Sequence, residues 1–142
     1  MAITLNHVIV WSNDQRESAK FLADIFGLPA PYRFSHFDAV NVGGISFDYA
    51  KSRGPLQRQH IAFLVGEEEF DAIIARIKER NVPYWADPRR ERPNEICLDD
   101  GGRGIYFPDP SDHNFEIITR PYGREAANRN PEASAERDAA ES

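Results

Sequence analysis

The sequence predicts an α+β fold built from two β-α-β-β-β modules, and three observations carry that expectation. His7 opens one apolar run, His-Val-Ile-Val-Trp, and His60 opens another, His-Ile-Ala-Phe-Leu-Val. Each run is followed by a stretch of helical periodicity. Each helix then meets a similar stop, Gly27-Leu28-Pro29 in the first half and Asn81-Val82-Pro83 in the second. Two such units are too few for a solenoid, so they read as halves of one domain.

The elements follow in order. Residues 3–11 are alternating and β-branched enough to form a strand. Asn13 and Asp14 offer helix caps, because their short side-chain oxygens accept from unpaired backbone N–H groups. Ala19, Leu22, Ala23 and Phe26 then mark one helical face. Gly27 supplies the left-handed residue after the helix, and Pro29 forbids continuation. Between 31 and 50, short apolar runs broken at Ser35-His36 and Gly43-Gly44 read as strands and tight turns. In the second half, residues 60–65 form a strand and Glu67 to Glu69 suit a helix N-terminus, where the dipole favours acids. Phe70, Ile73, Ile74 and Ile77 give that helix its apolar face. Strands are expected near 83–86, 95–99, 103–107 and 114–119. The Pro- and Arg-rich stretch 86–94 and Gly101-Gly102 read as loops.

These elements place one domain at 1–122, with modules at about 3–50 and 59–120. Residues 123–142 contain no aromatic or β-branched residue. Such a segment buries too little apolar area to offset its ordering entropy and reads as a disordered tail, with a docked helix over 132–141 as the alternative. A composition of 41% hydrophobic and 28% charged residues is that of a soluble domain. No run approaches the roughly 20 apolar residues that span a bilayer, and no leader opens the chain, so a cytoplasmic location without membrane contact is expected. The single Cys97 excludes an internal disulfide framework. A net charge of −6 argues against nucleic acid as a partner. The basic run Arg89, Arg90 and Arg92 reads either as a solvated loop or as a clamp for an anion.

The chemistry centres on His7, His60 and Glu116. Alternation puts His7, Ile9 and Trp11 on one face of their strand, and His60, Ala62 and Leu64 on one face of theirs. Asn114, Glu116 and Ile118 share the face opposite Phe115 and Ile117. A glutamate inside Asn-Phe-Glu-Ile-Ile is unusual, since burying a lone carboxylate is costly unless it is paired or metal-bound. Two imidazoles and a carboxylate make a set that holds a divalent metal while leaving open positions. The residues alone leave two readings: that metal set, or solvated strand-end histidines with a salt-bridged glutamate.

The sequence resembles the vicinal oxygen chelate superfamily of glyoxalase I, bleomycin-resistance proteins, fosfomycin-resistance enzymes and extradiol dioxygenases. The resemblance covers residues 3–120. It rests on His7 in the opening strand, on His60 in Gln-His-Ile-Ala-Phe, and on the ending Gly-Ile-Tyr-Phe-Pro-Asp-Pro-Ser-Asp-His-Asn-Phe-Glu-Ile-Ile-Thr. That ending is similar to the family's aromatic-x-D-P-x-G-x-x-x-E pattern. Asp112 stands where glycine is usual, and Asp is among the residues that tolerate a left-handed turn. The resemblance implies paired modules whose mixed sheets curl around a central cleft, with a divalent metal ion (Zn, Ni, Mn or Fe) bound by His7, His60 and Glu116. Asp48 is the candidate for a fourth ligand, with an edge-strand surface acid or a base as its other readings.

The resemblance further implies a small-molecule substrate and a homodimer whose clefts combine modules from two chains. Tyr106, ten residues before Glu116, matches a substrate-facing tyrosine of some members; otherwise it is a packed aromatic. Trp11 is a candidate wall of the cleft, and Arg33 and Arg103 are candidate anchors for an anionic substrate. His36 and His113 read as solvated turn residues. The expected function is a metal-dependent enzyme that stabilises an enolate or oxyanion, lyase- or isomerase-like or dioxygenase-like. The alternative is a metal-free binding protein of the bleomycin-resistance kind. Three features weigh against particular members. Residues 95–100 offer no histidine of the extradiol dioxygenase type, Asp48 replaces the glutamate of glyoxalase I, and no Ser/Gly-rich loop of the fosfomycin type precedes the last strand. A metal-dependent lyase- or hydrolase-like member is left as the leading expectation.

Overall fold

Both histidine-led runs fold into strand-helix units, and the helix ends show why each stops where it does. In the computed structural model, which describes residues 2–99 and 101–121, strand β1 covers His7–Ser12 and helix α1 covers Gln15–Phe26. Asp14 caps α1 by accepting from the N–H groups of Arg16 and Glu17. At the far end Gly27 takes φ 66° and donates to the Ala23 carbonyl. A β-carbon there would stand 3.0 Å from the Arg76 guanidinium, which itself donates to the Ile25 carbonyl at 3.0 Å. The left-handed backbone favours glycine here, and a side chain would also force the Arg76 guanidinium to shift.

The first module continues with β2 (Tyr32–Phe34), β3 (Phe37–Val42) and β4 (Ile45–Lys51). These make a four-stranded mixed sheet in the order β1-β4-β3-β2, with β1 parallel to β4 and the remaining pairs antiparallel. The second module has β5 (His60–Leu64), α2 (Glu67–Glu79), β6 (Gly104–Pro108) and β7 (Asn114–Ile118). Its sheet has the order β5-β7-β6, with β5 parallel to β7 and β6 antiparallel to it. The fold is therefore α+β, with two βαβββ-like modules and mixed sheets.

Two expected strands shrink to single bridges. Trp85 exchanges both backbone hydrogen bonds with Tyr106, at 2.9 and 2.8 Å, and Cys97 does the same with Gly104, at 2.8 and 2.9 Å. Around them Pro83, Pro88 and Pro93 lack the N–H that a ladder needs. Arg90 and Asn94 take φ of 62° and 61°, which breaks the extended run. The first strand is also shorter than expected. It begins at His7, and Ile3 and Leu5 ahead of it stand 81% and 61% exposed.

The core lies between helices and sheets and ties the modules together. Phe26 of α1 packs against Phe63, Phe107 and Phe115 of the second sheet, with ring centroids 4.6 to 6.4 Å apart. Phe47 of β4 meets Phe63 at 5.7 Å. Tilted and edge-on aromatic pairs of this kind add about 0.5–1.5 kcal/mol each beyond their area burial. Facing away from this core are His7, Ile9 and Trp11 on β1 and His60, Ala62 and Leu64 on β5. Those are the faces on which the candidate ligands sit. The tail, with the helix considered over 132–141, lies outside the described residues. Among the described residues, no helix is long and apolar enough to cross a membrane.

Candidate metal centre

The two modules present the same layout in the same register. Across the parallel β1/β4 pair His7 stands opposite Ser46, and Ile9 stands opposite Asp48. Across β5/β7 His60 stands opposite Asn114, and Ala62 opposite Glu116. In both halves the carboxylate sits two residues beyond the histidine's partner. Paired residues of adjacent strands project to one face, so Asp48 is the positional counterpart of Glu116. The alternation behind this is plain in the burial: Phe47 and Tyr49 point into the core, as do Phe115 and Ile117.

In the second half His60 Nε2 lies 3.0 Å from Glu116 Oε1. Glu116 is 1% exposed, whereas the His60 side chain is half exposed. The Asn114 carbonyl lies 3.1 Å from His60 Nδ1 and the Asn114 side-chain amide 3.3 Å from it. These partners serve different tautomers. When Nδ1 carries the proton, the carbonyl accepts it and Nε2 presents a lone pair to the carboxylate. When Nε2 carries it, Nε2–H donates to Glu116 and the amide donates to Nδ1. Tyr106 stands opposite Glu116 in the β6/β7 register, and its ring stacks on His60 with centroids 5.8 Å apart.

In the first half the Asn6 side-chain oxygen accepts from His7 Nδ1 at 2.8 Å, which leaves Nε2 as the free donor atom for an ion. Asp48 is 6% exposed and accepts from the Ser46 hydroxyl at 2.7 Å. His7, Asp48, Asn6, Ser46 and Tyr32 line a cavity of about 430 Å³. Asp48 therefore faces the histidine's side of the sheet rather than a solvated edge.

Within one chain the two strands approach, since Ile9 and Ala62 line one cavity of about 330 Å³, but the described ligand candidates of the two halves do not gather into one metal-holding group. It is the end of β1, not its beginning, that meets the turn leading into β7. The Trp11 carbonyl accepts from His113 Nε2 at 2.7 Å, and Asn13 N–H donates to the Ser111 hydroxyl at 2.9 Å. His7 lies four residues up the strand from Trp11, roughly 13 Å at strand rise. Among the described residues, no group of three or more His, Cys, Asp or Glu side chains within the chain is placed to hold a metal ion.

The second half-site nonetheless fits a divalent metal. Bond lengths of about 2.0–2.2 Å to imidazole nitrogen and carboxylate oxygen put two donors at a right angle about 3 Å apart. His60 Nε2 and Glu116 Oε1 already stand at that separation. A buried carboxylate facing an imidazole lone pair also requires a shared cation, either a proton or a metal.

The remaining sequence candidates divide. Trp11, 47% exposed, and Arg33 line one groove, together with His36. His36 is exposed, as a turn residue should be. Arg103 lies elsewhere: it precedes β6 at the end of the sheet far from His60, bonds Glu67 and Asp71 at the start of α2, and covers the Phe70 ring. Those acids, Asp71 foremost, raise its pKa further. In this chain it ties the start of α2 to β6, and the structure does not bring it to the groove of Trp11 and Arg33.

His113 is a correction to the sequence reading. It is 1% exposed rather than solvated, accepts from Gln59 N–H at 3.0 Å and joins that segment to β1. Asp109, not singled out from the sequence, shapes the same turn by accepting from the N–H groups of Ser111 and His113. Its signal was the Asp-Pro-Ser spacing, in which a short carboxylate reaches the N–H two residues on. Asp112 takes φ 62°, the left-handed geometry expected where the pattern has glycine.

The chain belongs to the glyoxalase/bleomycin resistance protein/dioxygenase superfamily, whose sequence profile matches residues 4–117. Among solved structures it is similar to the oxidase ChaP-H1, with 53% identity, a TM-score of 0.83, and coverage of 86% of this chain and 99% of that one. Among curated proteins it is similar to the glutathione transferase FosA of Serratia marcescens, 27% identical over 82% of this chain and 81% of the relative. It is also similar to the fosfomycin resistance protein FosX of Listeria monocytogenes, 29% identical over 80% of this chain and 86% of the relative.

Proposed function

We propose that this protein is a metal-dependent oxidase of a small oxygenated molecule, acting as a homodimer in which each metal site is shared between chains. His7, with Asp48 beside it, comes from one protomer; His60 and Glu116 come from its partner. The observation that carries this reading is the matched register of the two half-sites, each with a histidine and a buried carboxylate, held apart within one chain. Exposed Leu5 and Ile9 at β1 and Leu64 on the His60 face of β5 supply apolar surface for a second protomer to cover. The likeness to the oxidase ChaP-H1 supports oxidation over the lyase- or hydrolase-like chemistry that the sequence alone favours.

A bound divalent metal supplies Lewis acidity toward two adjacent substrate oxygens. The chain's own groups do the rest. Asn6 holds the proton of His7 on Nδ1, and the Asn114 carbonyl supports the same tautomer of His60, the one whose Nε2 lone pair is open to an ion. Tyr106, stacked on His60, is placed to hand a hydrogen bond to an oxyanion developing on the substrate. Ile9, Ala62 and Leu64 keep the cleft poor in competing water.

Reconstitution tests the reading. Chelator-treated protein is incubated anaerobically with Fe(II), Mn(II), Ni(II) or Zn(II) and assayed for bound metal, then for oxygen uptake with catechols and hydroquinones. One metal per chain and oxygen uptake with a vicinal-oxygen substrate are expected. A chain that takes up none of these metals is instead a metal-free binding protein of the bleomycin-resistance kind.

A further inference from the structure

We propose that the groove beyond the first half-site is an anchor for the acidic group of a flat organic anion, and that this anion is the substrate. The second part rests on the oxidase reading above. The groove has a volume of about 960 Å³, within the range of small-molecule sites. It wraps the end of the sheet: Trp11 and Ala50 belong to the face that carries the half-site, whereas Arg33, in register with Asp38 and Tyr49, and Lys51, two residues after Tyr49, come from the other face. Trp11 follows His7 and Ile9 on β1, Ala50 follows Asp48 on β4, and the two are partners in the ladder. A ligand lying on Trp11 and the small Ala50 therefore rests on the same surface as His7 and Asp48.

The charge of the groove is opposite to that of the protein. In a chain of net charge −6, its lining among the described residues includes Arg33, Lys51 and Arg53 and no aspartate or glutamate. Among the described residues, neither Lys51 nor Arg53 has an ion-pair partner. Arg33 is half committed, since one guanidinium nitrogen bonds Asp38 at 3.2 Å. Asp38 is 7% exposed and lies behind the wall, where Gln15 also bonds it at 2.7 Å. Gln15 in turn accepts from the Lys51 backbone N–H at 3.0 Å. The wall is thus tied from behind while its cations face solvent. Two unpaired cations and an exposed indole face recognise an aromatic or similarly planar body bearing a carboxylate.

The probes are 2-naphthoate and the uncharged 2-naphthamide, titrated calorimetrically into the metal-free protein so that no metal can favour the acid. Naphthoate is expected to bind at least about tenfold tighter than the amide. In K51Q/R53Q, which alters only exposed side chains, that ratio falls to within about twofold. Trp11→Ala weakens both probes alike and leaves the ratio standing. A wild-type ratio below twofold, or a ratio unchanged in K51Q/R53Q, overturns the anchor. Metal uptake is scored separately on the same preparation. A protein that takes up no metal sinks the oxidase reading and with it the substrate role, whatever the ratio; one that binds metal but shows no acid preference sinks only the anchor.

Discussion

Replacing Asp109 by asparagine should make the protein more stable at neutral pH, even though Asp109 organises the turn before β7. One carboxylate oxygen of Asp109 accepts from Ser111 N–H at 3.0 Å and His113 N–H at 2.7 Å. The other is buried without a hydrogen-bond partner among the described residues, and so is the phenol oxygen of Tyr49. Burial pushes the Asp109 carboxyl above its ordinary value despite those two hydrogen bonds. Burial, with the Asp109 charge adding to it, also pushes the Tyr49 phenol up. Asparagine keeps the accepting oxygen and replaces the orphaned one with a neutral donor. A buried unsatisfied group costs about 1–3 kcal/mol, and the new amide recovers only part of that because it also needs a partner. A net gain of about 1 kcal/mol is expected, or roughly 4 °C in Tm for a domain of this size.

The pH dependence fixes the sign. A carboxyl with a raised folded-state pKa binds its proton more tightly in the native state. Its favourable contribution is present at low pH and is lost as pH rises above the ordinary carboxylate value. The variant's advantage should therefore be small at pH 4 and larger at pH 7 to 8, read by thermal and urea unfolding at each pH. An Asp109→Asn protein less stable than wild type at pH 7, or equally advantaged at pH 4 and 7, would refute this account.

Asp14→Ala removes the cap of α1 and should cost about 1 kcal/mol, visible as a lower urea midpoint with an unchanged slope. Arg103→Ala should cost no more than about 1 kcal/mol, because its acid partners are mostly exposed, and should leave metal content and probe binding unchanged. Loss of metal in that variant would restore it to the site. Glu116→Gln should lower metal affinity at least about 100-fold. Asp48→Asn should lower it only about tenfold, as a shorter carboxylate beside the ion would. Equal losses at both positions, measured by competition with a chelator of known affinity, would make Asp48 a full ligand.

The halves of the fold were legible because strand alternation and helix-end chemistry are local. Asp14, Gly27 and the acids from Glu67 to Glu69 act on neighbours a few residues away, and the structure uses them as the sequence suggests. In the second module Pro83 weakens the expected strand 83–86, which is visible in the sequence, but nothing local in residues 95–99 shows that only Cys97 will pair. His113 was misread because nothing nearby in sequence shows that its ring reaches the Trp11 carbonyl. The ion pairs of Arg103 were hidden for the same reason, its acids lying on a helix more than thirty residues earlier. The equivalence of Asp48 and Glu116 needed the strand register. The separation of His7 from His60 needed the packing of one module on the other.

Sharing of the metal site between chains is tested most directly by mixing two disabled proteins. His7→Ala and Glu116→Gln homodimers should each bind little metal. In a heterodimer of the two, one site carries both lesions. The other joins an intact His7 to an intact His60 and Glu116. One metal per heterodimer is predicted, measured after co-refolding and separation by differential tags. No metal in the heterodimer, with normal loading of wild-type protein treated in the same way, would contradict the account and place each site within a single chain.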